Sequence, residues 1–232
     1  VTAAPAGVVV DGARLLAPGG LQANRGGPGD SSGIAMAATF TGVLFDPLAL
    51  QPGQVRLLDI AVGLGHQARF NGQTAYFYSA AEHSLIMARE AGLRWGPEAA
   101  RIALMHDAPE AWLGDMIRPL KASMPTFRAA EAAAWRAIAE ALKLPEAIPP
   151  QIHALDDEML ATERAALLPN APAFPGLPAP CPRLGHFIRG MAPAEARVAF
   201  LARAREMFEG SAFPEETPCP QRFAGEAREG AA

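Results

Sequence analysis

Between Leu104 and Asp115 the sequence reads Leu-Met-His-Asp-Ala-Pro-Glu-Ala-Trp-Leu-Gly-Asp, a histidine, two aspartates and a glutamate set among apolar residues. Burying an unpaired carboxylate costs several kcal/mol, so such groups have a partner, a metal or a chemical task. Ala99, Ile102 and Ala103 lie three, four and seven residues before His106. On a helix that spacing places them on one face with His106 and points the imidazole inward. The Ala108-Pro109 step disfavours continuation of that helix, whereas Pro109 suits the first turn of another. His106 and Asp107 then end one helix and Glu110 opens the next, and adjacent donors at such a break can converge on a single ion.

Two further stretches carry the same residue types. Ser79-Ala80-Ala81-Glu82-His83-Ser84 supplies a second histidine, and Leu155-Asp156-Asp157-Glu158-Met159 supplies a late aspartate pair. Within that pair, Asp156 shares a helical face with Ile152, Leu155 and Met159, while Asp157 shares the wetter face with Leu160, Arg164 and Leu168. Asp156 is therefore the inward carboxylate.

The elements that position these groups follow from punctuation and periodicity. Ser79 with Glu82 three residues later is a capping-box pattern, so a helix begins near Ala80 with His83 in its first turn. That box accounts for Glu82 without any chemistry. Val55–Leu64 reads as a helix stopped by Gly63 and Gly65, Pro97–Asp107 as the helix carrying His106, and Pro109–Met116 as the next. Phe127–Leu142 and Gln151–Leu168 follow, and Pro193–Phe208 is the last, with Val198, Leu201 and Phe208 inward. Phe40–Pro52 is extended or turn-rich, Asn71-Gly72 is a turn signal, and the six prolines from Pro169 to Pro182 mark an irregular loop.

Hydrophobic residues make up 50% of the 232 residues but aromatics only 7%. Alanine and leucine carry that content, which favours helices and an all-α fold. The formal net charge of −4 argues against binding a nucleic-acid polymer, which needs a basic face. A phosphorylated ligand would instead be held by a few local cations and a metal. With no run of 18 apolar residues and no charged-then-apolar start, neither a membrane span nor a signal peptide is expected, and a cytoplasmic location follows. Cys181 and Cys219 each lie next to prolines, and their pairing is left open.

Taken in order, His83, His106-Asp107 and Asp156 resemble the His…His-Asp…Asp signature of the HD superfamily of metal-dependent phosphohydrolases. The resemblance runs from about Phe40 to Leu168. Its most specific parts are Arg69-Phe70-Asn71-Gly72, Tyr78-Ser79-Ala80-Ala81-Glu82-His83-Ser84, His106-Asp107-Ala108-Pro109-Glu110-Ala111 and Gly114-Asp115. Together they look like the branch containing bacterial 5′-deoxynucleotidases and phage dATP triphosphohydrolases. The implied architecture is an HD-domain helical bundle over residues 39–209. A flexible Gly/Pro-rich segment over residues 1–38 precedes it, and a disordered acidic tail over residues 210–232 follows.

The resemblance implies that His83, His106, Asp107 and Asp156 hold one divalent ion. Two imidazoles and two carboxylates suit Mn²⁺, Co²⁺, Fe²⁺, Ni²⁺ or Zn²⁺ better than Mg²⁺, which prefers all-oxygen sites. Such an ion brings the pKa of a bound water towards neutrality. Glu110 looks like the residue that positions that water and moves its proton. Arg69, with its planar fork, and Lys121 of Pro119-Leu120-Lys121 fall where relatives reach substrate phosphate. Asp115 falls where a sugar hydroxyl is bound, and Phe70 could stack on sugar or base. The expected reaction is hydrolysis of (deoxy)nucleoside mono- or triphosphates, and a homo-oligomer, as in related dimers and rings, is compatible. HD-type alarmone hydrolases carry Glu-Asp where this chain has Glu110-Ala111, which argues against that activity. A non-catalytic nucleotide-binding module would not need Glu110.

Overall fold

The structure, a computed structural model, describes residues 36–208. The expected acidic tail over residues 210–232, any pairing of Cys219, and the expected flexible arm over residues 1–38 as far as residue 35 lie outside the described residues. Residues 36–38 of that arm are described, and Ala37–Ala38 form a strand. The described fold is all-α apart from a two-stranded hairpin. Among the described residues no helix is long and apolar enough to cross a membrane.

The hairpin pairs β1 (Ala37–Ala38) with β2 (Leu44–Phe45) in antiparallel register, Ala37 opposite Phe45. It is fastened to α1 (Leu57–His66) by Asp59, whose carboxylate accepts from the Thr41 amide at 2.8 Å and the Thr41 hydroxyl at 2.7 Å. Gly63 and Gly65 do not stop α1, as the sequence pattern suggested; the helix runs through both. A Cβ at Gly63 would stand 2.7 Å from Ala111, and one at Gly65 3.0 Å from Arg197. The missing side chains let α1 approach two later helices closely, a use of glycine that overrides its poor helix propensity.

After α1, α2 spans Ala80–Trp95, α3 Pro97–Met105 and α4 only Glu110–Leu113. The expected helix to Met116 is thus a single turn, because Gly114 takes a left-handed φ of 85° and ends it. Then come α5 (Arg118–Ala122), α6 (Pro125–Leu142), α7 (Pro150–Leu167), α8 (Pro182–Gly185) and α9 (Pro193–Phe208). Proline at the first turn opens α3, α6 and α7, where its missing N–H costs nothing. Residues 168–181 are irregular, as their five prolines require.

One buried cluster joins Ile60 and Leu64 of α1, Met87 of α2, and Leu104 and Met105 of α3. Ile138 and Leu142 of α6, Ile152, Leu155 and Met159 of α7, and Phe200 of α9 complete it. On α9 the inward stripe is Ala196, Phe200, Ala204 and Phe208, at offsets of four; Val198, expected inward, is 61% exposed. Two residues before Phe200 is about 200° round the helix, so the two cannot share a face.

Candidate functional site

Ser79 caps α2, its hydroxyl accepting from the Glu82 amide at 3.1 Å, and this fixes His83 one turn into the helix. Only half of the expected capping box forms. The Glu82 carboxylate turns away and accepts from the backbone amides of Arg189, Gly190 and Met191 at 2.6–3.0 Å, tying the segment before α9 to the start of α2. Ala99, Ile102 and Ala103 are buried as their spacing implied. His106 follows α3 with its ring inside, its Nδ1 donating to the Ala103 carbonyl at 2.8 Å.

His83 is completely buried, and its Nδ1 donates to Glu163 Oε1 at 2.6 Å. Because a carbonyl and a carboxylate only accept, both imidazoles carry their proton on Nδ1. Their Nε2 atoms then face one another at 3.2 Å. Asp156 Oδ1 lies 3.4 Å from His83 Nε2 and 4.0 Å from His106 Nε2. Asp107 brings its two oxygens to 3.5 and 3.3 Å from the same nitrogens. Nitrogen and oxygen atoms converging in this way could hold a cation between them. His83, His106 and Asp156 offer ligand atoms within 4.8 Å of one another, a donor set that fits a borderline divalent ion. Burial and the nearby Arg69 charge push His83 down, but the carboxylates Glu163 and Asp156 outweigh them and carry it up to about 9.

Within the late pair, Asp156 has the less exposed side chain, 19% against 44% for Asp157. Burial alone would raise the Asp156 carboxyl, yet hydrogen bonding to His83 and the surrounding positive charge hold it well below its ordinary range.

Arg69 sits in a turn, Arg69–Gly72, where Phe70 and Asn71 both take left-handed φ values of 56° and 52°. For a bulky residue such a φ costs of order 1–3 kcal/mol and is kept where surrounding structure imposes it. Here the Arg69 amide bonds the Tyr78 carbonyl at 3.0 Å and the Ala80 amide bonds Gln67, clamping the turn to the start of α2. The Arg69 guanidinium is buried and gives Nε and Nη2 to Glu163 Oε2 at 3.1 and 3.0 Å, and Nη1 to Asp107 at 3.2 Å.

A cavity of about 500 Å³ opens beside the histidine–aspartate cluster, a size suited to a small-molecule ligand. Arg69, Phe70, Asp107, Glu110, Asp115, Lys121 and Asp156 all line it, so seven of the residues singled out in the sequence meet at one place. Its other wall is apolar, with Ile117, Leu160, Phe174 and Leu177. Glu110 is buried, and its Oε2 has no hydrogen-bond partner among the described residues. Burial, with Asp107 and Asp115 close by, pushes its carboxyl well up. Lys121 Nζ stands 3.8 Å from Glu110 Oε1 while donating to Glu131 at 2.6 Å. His66, His153 and His186 are exposed.

Three participants were not singled out in the sequence. Glu163, one turn after Met159 on α7, is fully buried and joins Arg69, His83 and Tyr78, whose hydroxyl donates at 2.9 Å. Its offset of seven from Asp156, placing it on the same face, was the available signal. Tyr78 is completely buried beside it. Arg118 pairs with both Asp156 and Asp157.

The chain matches no profile of a described protein family. It is 32% identical over 178 residues to the uncharacterized Escherichia coli protein YfdR, a match covering 76% of this chain and 97% of that protein. It is 39% identical over 175 residues to the uncharacterized Rhodobacter capsulatus protein RCAP_rcc00048, covering 69% of this chain and 87% of that protein.

Proposed function

We propose that this chain, which belongs to the family of the Escherichia coli protein YfdR, is a divalent-metal-dependent phosphohydrolase of nucleotides. One observation carries the reading. Two imidazoles with protons pinned on Nδ1 turn their Nε2 atoms and two aspartates towards one point, beside a buried glutamate oxygen without a hydrogen-bond partner among the described residues. The resemblance of His83, His106-Asp107 and Asp156 to the HD signature supports the same assignment.

Bound there, a divalent ion would supply Lewis acidity to a phosphate oxygen and to a water. The chain's own residues supply the rest. His83 is held in its ligating tautomer by Glu163, and His106 by the Ala103 carbonyl. Glu110, whose carboxyl burial and its acidic neighbours push well up, accepts a proton from the attacking water. As the new O–P bond forms, the P–O bond to the leaving nucleoside or polyphosphate breaks, and the proton passes to the leaving oxygen. The apolar wall with Phe70 and Phe174 receives the uncharged part of the substrate, and the cations face its phosphate. The reaction suits a cytoplasmic nucleotide pool.

The test is metal analysis of the purified protein together with a phosphate-release screen over nucleoside mono- and triphosphates with Mn²⁺, Co²⁺ and Mg²⁺. Metal-dependent release is expected, with metal content lost in His106→Ala and Asp156→Ala and kept in Asp157→Ala. Nucleotide binding without release under any ion would make the protein a binding module instead.

A further inference from the structure

Three cations line the cavity, and they differ in how free they are to meet a phosphate. Arg69 is buried with most of its fork given to Glu163 and Asp107. Withdrawing it would strand a completely buried carboxylate. Lys121 is tied to Glu131 at 2.6 Å and stands next to Glu110.

Arg118 is different. It projects from α5, a helix with no buried residue, and its side chain is 47% exposed. It crosses to α7, where Nη2 donates to Asp156 Oδ2 at 2.6 Å and Nη1 donates to Asp157. Asp156 thus accepts from Arg118 on Oδ2 while its Oδ1 faces His83 and His106. The guanidinium therefore sits one carboxylate's width from the point where the imidazoles converge. Releasing Asp157 returns a half-exposed carboxylate to water, and exposed ion pairs of this kind are worth little. Keeping Nη2 on Asp156 while Nη1 takes a new oxygen is what a planar fork does well.

We propose, resting on the hydrolase reading above, that Arg118 is the phosphate-gripping arginine of this site. Asp156 and Asp157 hold it ready, and Nη1 passes from Asp157 to a phosphate oxygen of the substrate while Nη2 stays on Asp156. Asp157 is the parking partner of that arm, and Arg69 positions Asp107 and Glu163.

The proposal is tested by calorimetric titration of inorganic tripolyphosphate into the full chain, metal-free and at saturating Mn²⁺. Wild type is compared with Arg118→Ala, Arg118→Lys and Asp157→Asn after thermal melts show each variant folded. Arg118→Ala should weaken tripolyphosphate at least tenfold in both metal states, and Arg118→Lys should restore part of the loss. Asp157→Asn should tighten binding severalfold, because the arm loses its competitor. Unchanged affinity in Arg118→Ala, or weaker binding in Asp157→Asn, overturns the proposal. The hydrolase reading fails separately. Tripolyphosphate binding that depends on Arg118, without phosphate release from any nucleotide, sinks that reading and sustains this one. Nucleotide hydrolysis with KM unchanged in Arg118→Ala does the reverse.

Discussion

Glu163 Oε1 lies 2.6 Å from His83 Nδ1, although 80 residues separate the two in the chain. The same carboxylate group takes two N–H bonds from Arg69 and the hydroxyl of Tyr78. It therefore sets the tautomer of one candidate ligand and anchors the turn that carries Arg69 and Phe70.

Replacing this partner should weaken the metal without removing a ligand. Glu163→Gln is expected to lower divalent-ion affinity by about 10–100-fold, the usual effect of losing a carboxylate behind a ligating histidine. Competition against a chromogenic chelator measures it; unchanged affinity would show that the tautomer is set elsewhere. The same variant has a pH signature in the chelated protein. Burial alone would raise the Glu163 carboxyl, but Arg69 and His83 hold it below its ordinary range. The folded state then binds that proton less readily than the unfolded chain. Stability is fully present above the unfolded value of about 4.3 and is lost as pH falls through the depressed folded value. Acid melts of the wild type should decline steeply below about pH 4, and those of Glu163→Gln less steeply.

Arg69 bears on the fold as well as on the cavity. The resemblance implies a phosphate contact for it. Its burial and its bonds to Glu163 and Asp107 give it a part in the fold besides. Arg69→Ala leaves buried negative charge short of its partner, and a loss of about 3–5 kcal/mol is expected by urea titration. A change below about 1 kcal/mol would show that Tyr78 and His83 suffice for Glu163.

Glu110 should separate stability from turnover. Its carboxyl is raised by burial and by Asp107 and Asp115, so its charge disfavours the folded state at neutral pH. Glu110→Gln is therefore expected to raise the melting temperature of the chelated protein at pH 7. It should retain bound metal and lose turnover by about 10²–10⁴-fold, the range for general acid–base help. Near-normal hydrolysis would remove the proton-transfer role, and loss of metal would make Glu110 a ligand.

The close approach of α1 to α4 at Gly63 positions Glu110. Gly63→Ala places a methyl 2.7 Å from Ala111. Overpacking of this kind costs about 1–3 kcal/mol, and here it displaces the helix that Glu110 opens, so turnover should fall with stability. Gly53→Ala meets nothing within 4 Å and serves as the control, with an expected change within about 0.5 kcal/mol.

Local rules made part of this site legible in the sequence. Apolar spacing turned His106 inward and separated Asp156 from the wetter Asp157, the Ser79 cap placed His83 one turn into α2, and prolines marked where helices begin. Each depends on residues a few positions apart, so periodicity and capping chemistry suffice. Tertiary structure alone decided the rest. Gly63 and Gly65 have the composition of helix stops, and only the neighbours Ala111 and Arg197 show why the helix continues through them. Glu82 had a local partner available, yet its carboxylate satisfies three amides more than 100 residues away. Arg69 carries the same fork on a surface as in a core, and Glu163, 94 residues later, determines which it serves. A buried charge takes whichever partner the packing brings to it, because leaving it unpaired costs more than any local preference can supply.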